Sequence, residues 1–297
     1  MVIKSLKPAL IFFSLFLLIV YANKYYAQEY DYSIVVISDV HISNDESKDN
    51  RLLELVEKIN SGEIPDVKFV AVTGDFVSAV FTAGKERTDE NSRLVKGISI
   101  MNNLTVPYYM VMGNHDYKID NDRDSDTYFA ESEILEMEEL WEDVAGFDPY
   151  YFIEDNGWNF IFLNSMRGRY LKRYFDEEQL NWLSDLLTQN KPTLLFFHHP
   201  IQTDNTPEVY LNKYKEKDLI TAGREPRFFE IVEEHKENIK GIFFGHVHIW
   251  AKDVLFETIP TVLTNSLADQ PGLPFHLIKV DSGNSVIKIE RVHLNKN

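Results

Sequence analysis

Apolar runs of strand length alternate along this chain with amphipathic stretches of helical period. Ile34-Val35-Val36-Ile37 is continuously apolar, as expected for a strand covered on both faces, and it ends in Ser38-Asp39-Val40-His41. Leu52, Leu55, Val56 and Ile59 then recur at helical spacing. Phe69-Val70-Ala71-Val72 predicts a second buried strand, ending in Thr73-Gly74-Asp75. Leu94, Ile98 and Met101 mark another helix, and Val106 to Met112 a third strand that runs into Gly113-Asn114-His115-Asp116. Tyr150 to Ile153 and Trp158 to Leu163 flank the turn signal Asp155-Asn156-Gly157 and predict a hairpin. Leu180, Leu183 and Leu187 give a helix, and Thr193 to Phe197 a strand ending in His198-His199-Pro200. Phe228, Ile231, Val232 and His235 share a helical face, and Ile242-Phe243-Phe244 leads into Gly245-His246-Val247-His248. Strand-like runs around Phe256, Leu263 and Phe275 to Val280 follow, then the turn Asp281-Ser282-Gly283-Asn284 and a final strand. The repeated order of strand, polar loop and helix predicts an α/β fold.

Ser78 to Asn91 and Tyr117 to Ser132 break this rhythm as polar, charge-rich insertions. Both follow polar strand ends, so they are expected either to line the site formed there or to be solvated surface loops.

Composition narrows the chemistry. The chain has 297 residues, 44% hydrophobic and 26% charged, which is ordinary globular usage with enough chain for a large core. A net charge of −17 argues against binding a nucleic-acid backbone over a broad surface. There are no cysteines, which excludes disulfides, thiolate metal sites and a cysteine nucleophile. Lys4 and Lys7 precede a nearly apolar stretch from Ala9 to Ala22. As a helix it would span about 21 Å, short of a roughly 30 Å hydrocarbon core. Residues 1–27 therefore read as a signal peptide, or as an N-terminal membrane anchor, with a short linker; residues 28–297 form the folded domain. The expected location is outside the cytoplasm, with possible membrane association through residues 1–22.

Five apolar strands thus end in polar clusters: Asp39/His41, Asp75, Asn114/His115, His198/His199 and His246/His248. Six of the nine histidines fall in them. In α/β sheets the carboxyl ends of strands are where ligands bind. Oxygen and imidazole donors together suit Mn, Fe or Zn, and the histidines argue against a purely Mg or Ca site. Asp-x-His and His-x-His on an extended backbone would point both side chains to one side. His235, His276 and His293 sit in amphipathic segments without a second ligand type nearby, and read as structural.

Taken in order, Asp39-Val40-His41, Gly74-Asp75, Gly113-Asn114-His115-Asp116, His198-His199-Pro200 and Gly245-His246-Val247-His248 resemble the motif series of the calcineurin-like metallophosphoesterases. The resemblance runs from about Ile34 to His248. It implies two mixed β-sheets packed face to face, flanked by helices, with a dinuclear metal site at the strand ends. It implies that Asp39, His41 and His248 bind one metal, that Asn114, His198 and His246 bind the other, and that Asp75 bridges them. His198 rather than His199 is the implied ligand. His115 is implied as proton donor, with Asp116 either orienting it or capping the turn. Two departures stand out. Ser78 occupies the position where purple acid phosphatases carry a tyrosine ligand, and Gly74-Asp75-Phe76-Val77 lacks the arginines with which protein phosphatases grip phosphate. The His-His-Pro form looks closer to the bacterial cyclic-nucleotide phosphodiesterase-like branch.

The expected reaction is hydrolysis of a phosphomonoester or phosphodiester in a small phosphorylated substrate. A hydroxide bridging two divalent or trivalent ions would attack phosphorus, and His115 would protonate the leaving oxygen. The alternatives are an exported, catalytically silent metal- and phosphate-binding domain, and an amide hydrolase built on the same ligands. Specificity is expected in the insertions after Phe76, after Asp116 and between Ile201 and Pro226, where no code is readable.

Overall fold

The computed structural model describes residues 30–120, 129–203, 205–206, 219–269 and 272–294. The leader expected over residues 1–27 lies outside them, as do parts of two of the expected specificity insertions. Among the described residues no helix is long and apolar enough to cross a membrane.

Two mixed sheets form. The first has the order β11-β10-β1-β2-β3. Its members are β1 (Tyr32–Ile37), β2 (Val67–Val72), β3 (Tyr108–Met110), β10 (Leu273–Asp281) and β11 (Val286–Leu294). β1, β2 and β3 are parallel, and β10 closes antiparallel on β1. The second sheet has the order β4-β5-β6-β7-β9-β8. It contains β4 (Tyr151–Asp155), β5 (Trp158–Phe162), β6 (Thr193–Phe196), β7 (Ile239–Phe244), β8 (Ala251–Leu255) and β9 (Ile259–Leu263). β5, β6, β7 and β9 run parallel, with antiparallel strands at both edges.

The continuous apolar strands cover both faces of each sheet. In β1, Ile34 and Val36 face the other sheet, meeting Phe160, Phe196 and Phe243, while Val35 and Ile37 join the outer helical layer. Phe69 and Phe160 touch edge to face across the sheet interface, with ring centroids 5.1 Å apart. Three helices pack outside the first sheet: α1 (Glu46–Asn60), α2 (Arg93–Met101) and α3 (Glu131–Ala145). α4 (Glu177–Leu187) and α5 (Pro226–Glu234) pack outside the second. Their starts follow local chemistry. Asp45, Ser92 and Asp176 cap α1, α2 and α4 by accepting a backbone N–H of the first turn.

Several expectations need correction. β3 holds three residues, not seven, because the chain after Met110 leaves the ladder and turns towards the strand-end cluster. Phe256 is not in a strand; it lies in the tight turn between β8 and β9 with φ 51°. His235 caps the end of α5 instead of continuing its face. α3 was not expected, although Ile134, Met137, Glu138 and Trp141 are buried at helical spacing. A polar face so rich in Glu hid that stripe.

Glu138 in that stripe is a buried carboxylate tying α3 to the loop after β5. It accepts from Arg167 Nη1 at 2.6 Å, Tyr117 Oη at 3.1 Å and Asn164 Nδ2 at 3.1 Å. Burial, opposed by Arg167, pushes its pKa up to about 7.

Candidate metal centre

Five loops meet at one end of both sheets. Those after β1, β2 and β3 come from the first sheet, and those after β6 and β7 from the second. His198 Nδ1 donates to the Thr73 carbonyl at 2.9 Å, crossing between them. Gly245, in the loop after β7, packs directly against Ser38 and Asp39 after β1. A Cβ built there would lie 1.7 Å from Ser38 Oγ and 2.5 Å from Asp39 Oδ2, so no larger residue fits.

The loops are not extended. Asp39, His41, Asp75, His246 and His248 have φ of 52°, 49°, 50°, 75° and 53°, all left-handed. The same-side argument for Asp39/His41 and His246/His248 therefore fails in its geometry: Asp39 and His41 do converge, while His246 and His248 enter different groups. Each side chain is aimed by a local turn of the backbone, a conformation that Asp and His tolerate better than most residues. Strain of this kind persists where the surroundings over-determine it. Here Asp39 N–H donates to Gly74 O at 3.1 Å and His41 N–H to Asp75 O at 3.0 Å.

Two trios of candidate ligands result. In the first, His248 Nε2 lies 3.1 Å from Asp39 Oδ1 and 3.2 Å from His41 Nε2. In the second, Asn114 Oδ1 lies 3.0 Å from His198 Nε2 and 2.9 Å from His246 Nδ1, and those nitrogens are 3.2 Å apart. Asp75 stands between them, with Oδ2 3.9 Å from His41 Nε2 and Oδ1 3.3 Å from His198 Nε2. Asp39, Asp75, Asn114 and His198 are at most 2% exposed.

The donors fit a metal. His198 Nδ1 must carry its hydrogen, because the Thr73 carbonyl only accepts, so Nε2 offers a lone pair to the centre. His248 Nδ1 faces the Asp269 carboxylate at 2.5 Å, which likewise turns Nε2 towards Asp39. His198 Nε2 then faces Asn114 Oδ1 at 3.0 Å and His248 Nε2 faces Asp39 Oδ1 at 3.1 Å, acceptor against acceptor, an arrangement that a proton or a cation between them resolves. Ligands about 2.0–2.2 Å from a metal and roughly 90–100° apart have about this separation. The electrostatics agree. Burial favours the neutral acid of Asp75, but His198 and the neighbouring histidines outweigh it and hold the carboxyl well below its usual range. Burial would lower His198, yet Asp75 raises it to about 9, so the cluster draws positive charge. His41, buried, is lowered to about 4.

His115 lies at the rim, half-buried. Its backbone N–H donates to Asp75 Oδ1 at 2.7 Å, and its ring meets that of His41 edge-on at 4.7 Å. Its nitrogens belong to a third grouping with His41 and Asp75, so it borders the centre. Nδ1 donates to the Ser78 carbonyl at 3.1 Å, leaving Nε2 directed elsewhere. Asp116 does not orient it. Asp116 Oδ2 accepts from Gly113 N at 2.7 Å and Phe76 N at 3.2 Å, and Oδ1 from Val77 N at 2.9 Å, which caps the turn. His199 is in neither trio; it bonds to Ser165 and Arg169 in a buried cluster beside His246. His276 is buried against Thr264 Oγ1 at 3.1 Å, a structural role.

Three nearby groups had no readable signal. Asp269 contacts His248, Ser266 Oγ donates to the Asp39 carbonyl at 3.0 Å, and Lys118 Nζ sits 3.5 Å from His115 Nε2. Each comes from a segment without motif character. The insertions do reach this region. Beside Lys118, a cavity of about 190 Å³ is lined by Arg87, Tyr117, Asp120, Phe129 and Met137 among others.

A family model described as calcineurin-like phosphoesterase matches residues 32–250, which include every strand-end cluster above. The chain belongs to the calcineurin-like phosphoesterases. It is 30% identical over 102 residues to a protein of Synechococcus sp. named "probable cyclic nucleotide phosphodiesterase", covering 34% of this chain and 36% of that one. It is 25% identical over 187 residues to a protein of the same name from Colwellia psychrerythraea, covering 62% of this chain and 57% of that one. This calcineurin-like phosphoesterase thus spans about a third to just over half the length of these relatives. Its fold is similar to that of a dimetal phosphatase from Danio rerio, with a TM-score of 0.63, 13% identity, and 89% and 97% of the two chains covered. It is also similar to a 5′-nucleotidase from Candida albicans, with a TM-score of 0.51, 12% identity, and 90% and 52% covered. Those structures support the two-sheet architecture with helices on its outer faces.

Proposed function

We propose that this chain hydrolyses a small phosphomonoester or phosphodiester at a dinuclear metal centre. Asp39, His41 and His248 would hold one ion, Asn114, His198 and His246 the other, with Asp75 between them. The observation that carries this reading is the pair of trios, with internal spacings of 3.1–3.9 Å in the first and 2.9–3.2 Å in the second, joined by one buried carboxylate. Two bound cations would activate water and neutralise charge growing on the phosphoryl oxygens.

The chain's own residues do the rest. Thr73 and Asp269 hold the Nδ1 sides of His198 and His248, so each Nε2 faces the centre and would offer its lone pair once a cation replaces its proton. The Ser78 carbonyl accepts the Nδ1 hydrogen of His115, so Nε2, 3.5 Å from Lys118 Nζ, is the nitrogen that would hand a proton to a leaving alkoxide. The Asp116 cap holds the turn that carries Asn114 and His115.

The test is a panel of monoesters, linear diesters, cyclic nucleotides and a pyrophosphate, run on metal-stripped protein and after adding Mn, Fe or Zn. Activity should vanish on stripping and return with about two ions per chain. Full turnover by metal-free protein overturns the proposal. A peptide substrate cleaved in preference to every phosphoester would move it to amide chemistry.

A further inference from the structure

Arg169 is a buried cation without a counter-anion among the described residues. It begins the short 3-10 turn Arg169–Leu171 between β5 and α4 and is 9% exposed. Arg167, two residues earlier, pairs with Glu138, Asp176 and Glu178. Among the described residues no carboxylate forms an ion pair with Arg169. Its guanidinium lies 4.2 Å from the ring centroid of Tyr174, which offsets part of the cost of burial. Nη2 donates to His199 Nε2 at 3.1 Å, while Nε has no partner.

The hydrogen bonds fix the state of His199. A guanidinium only donates, so His199 Nε2 accepts, and Nδ1 donates to Ser165 Oγ at 2.8 Å. His199 is then a neutral ring and brings no negative charge. A charge buried without a partner is costly, and such groups are usually neutralised by a ligand or a neighbour.

Its position indicates which. The ring of His199 is 4.7 Å from that of His246 and 5.1 Å from that of His198, centroid to centroid. The guanidinium is thus one imidazole away from the second ligand trio. The planar fork of arginine suits phosphate and carboxylate oxygens, and Nε remains to be used. The Gly74-Asp75 segment lacks the phosphate-gripping arginines of protein phosphatases, and Arg169 places a cation one imidazole from the centre, from a stretch with no motif.

We propose that Arg169 is a specificity-determining residue that binds a second anionic group of the substrate, next to the phosphoryl group held at the trios. The substrates it favours are diphosphates and phosphoesters with a neighbouring carboxylate, over esters with a single phosphoryl charge. This rests on the phosphoesterase reading above, and binding separates the two.

The test compares wild type with Arg169→Gln, which keeps a donor for His199 but removes the charge, and with Arg169→Lys, which restores the charge. Metal-loaded proteins of equal metal content are titrated calorimetrically with inorganic phosphate, methylene bisphosphonate and phosphonoacetate. Arg169→Gln should weaken bisphosphonate or phosphonoacetate at least tenfold and phosphate less than threefold, with Arg169→Lys in between. Loss for bisphosphonate alone assigns a phosphoryl group, and loss for phosphonoacetate as well admits a carboxylate. An equal change for all three probes, or none, overturns the assignment. An Arg169→Gln chain that fails to fold also overturns it, since the cation would then serve the fold. In the kinetic arm, KM for a diphosphate should rise at least tenfold while kcat for a simple monoester stays within threefold. A wild type that binds the probes in this pattern but hydrolyses no phosphoester refutes the catalytic reading and leaves the Arg169 assignment standing.

Discussion

Gly113→Ala tests how tightly the centre is built. A Cβ at Gly113 would lie 2.3 Å from Asp75 Oδ1, 2.4 Å from the Asp75 backbone nitrogen and 2.9 Å from His198 Cδ2. Ordinary contact begins at 3.4 Å, so Asp75 or the Gly113 turn must move by about 1 Å. The obstacle includes backbone, and Asp75 is 1% exposed, so no flexible side chain can absorb the shift. Metal sites tolerate roughly ±0.2 Å in ligand position, and a misplacement of about 1 Å near the chemistry costs on the order of 100-fold in rate. Overpacking adds about 1–3 kcal/mol of destabilisation, a fall in Tm of roughly 2–10 °C for a domain of this size. Metal content by elemental analysis, Tm by circular dichroism and kcat on an aryl phosphodiester would be measured together. Gly223→Ala is the control, since its Cβ would meet only Thr221 Oγ1 at 3.8 Å. A Gly113→Ala protein with full metal content and a rate within threefold of wild type would refute the close approach on which the site's geometry rests.

Other predictions follow from the same contacts. His115→Ala should keep its metal and lose roughly 10²–10⁴ in rate on alkyl esters, less on aryl esters whose phenolate leaves unaided; loss of a metal, or equal slowing of both, makes His115 a ligand or charge stabiliser. Asp269→Ala frees the His248 ring, and metal titration should show about 10–100-fold weaker binding; unchanged affinity would mean the contact positions nothing. Glu138 has a folded pKa raised to about 7 by burial from an ordinary 4.5, so between those values the folded chain holds a proton that the unfolded chain has lost. Its contribution to stability therefore falls as pH rises from about 4.5 to 7 and is flat above, by up to roughly 3 kcal/mol. Urea midpoints across that window should decline with pH in wild type and less steeply in Glu138→Gln; parallel slopes would rule the group out.

Much of the fold and nearly all of the residues gathered at the strand ends were legible in the chain. The apolar runs at Ile34, Phe69, Trp158, Thr193 and Ile242 are continuous because both faces of those strands are buried, so burial itself writes the pattern. The polar ends of the runs at Ile34, Phe69, Val106, Thr193 and Ile242 named the candidate ligands, since donor chemistry is a property of residue type. What the pattern could not contain was sheet membership: β1 to β3 lie in one sheet and β6 and β7 in another, and no local signal distinguishes them. The left-handed backbone at Asp39, His41, Asp75, His246 and His248 was equally invisible, because it is imposed by hydrogen bonds between loops, such as Asp39 N–H to Gly74 O. Asp116 shows the limit within a motif, where proximity in sequence to His115 counted for less than three backbone N–H groups nearby. Asp269 and Arg169 lie 21 and 30 residues from the histidines they contact. Sequence determines which groups a chain carries and which stretches must be buried. Which carboxylate meets which ring, and which cation is left without an anion, is decided only when strands far apart in the chain are packed edge to edge.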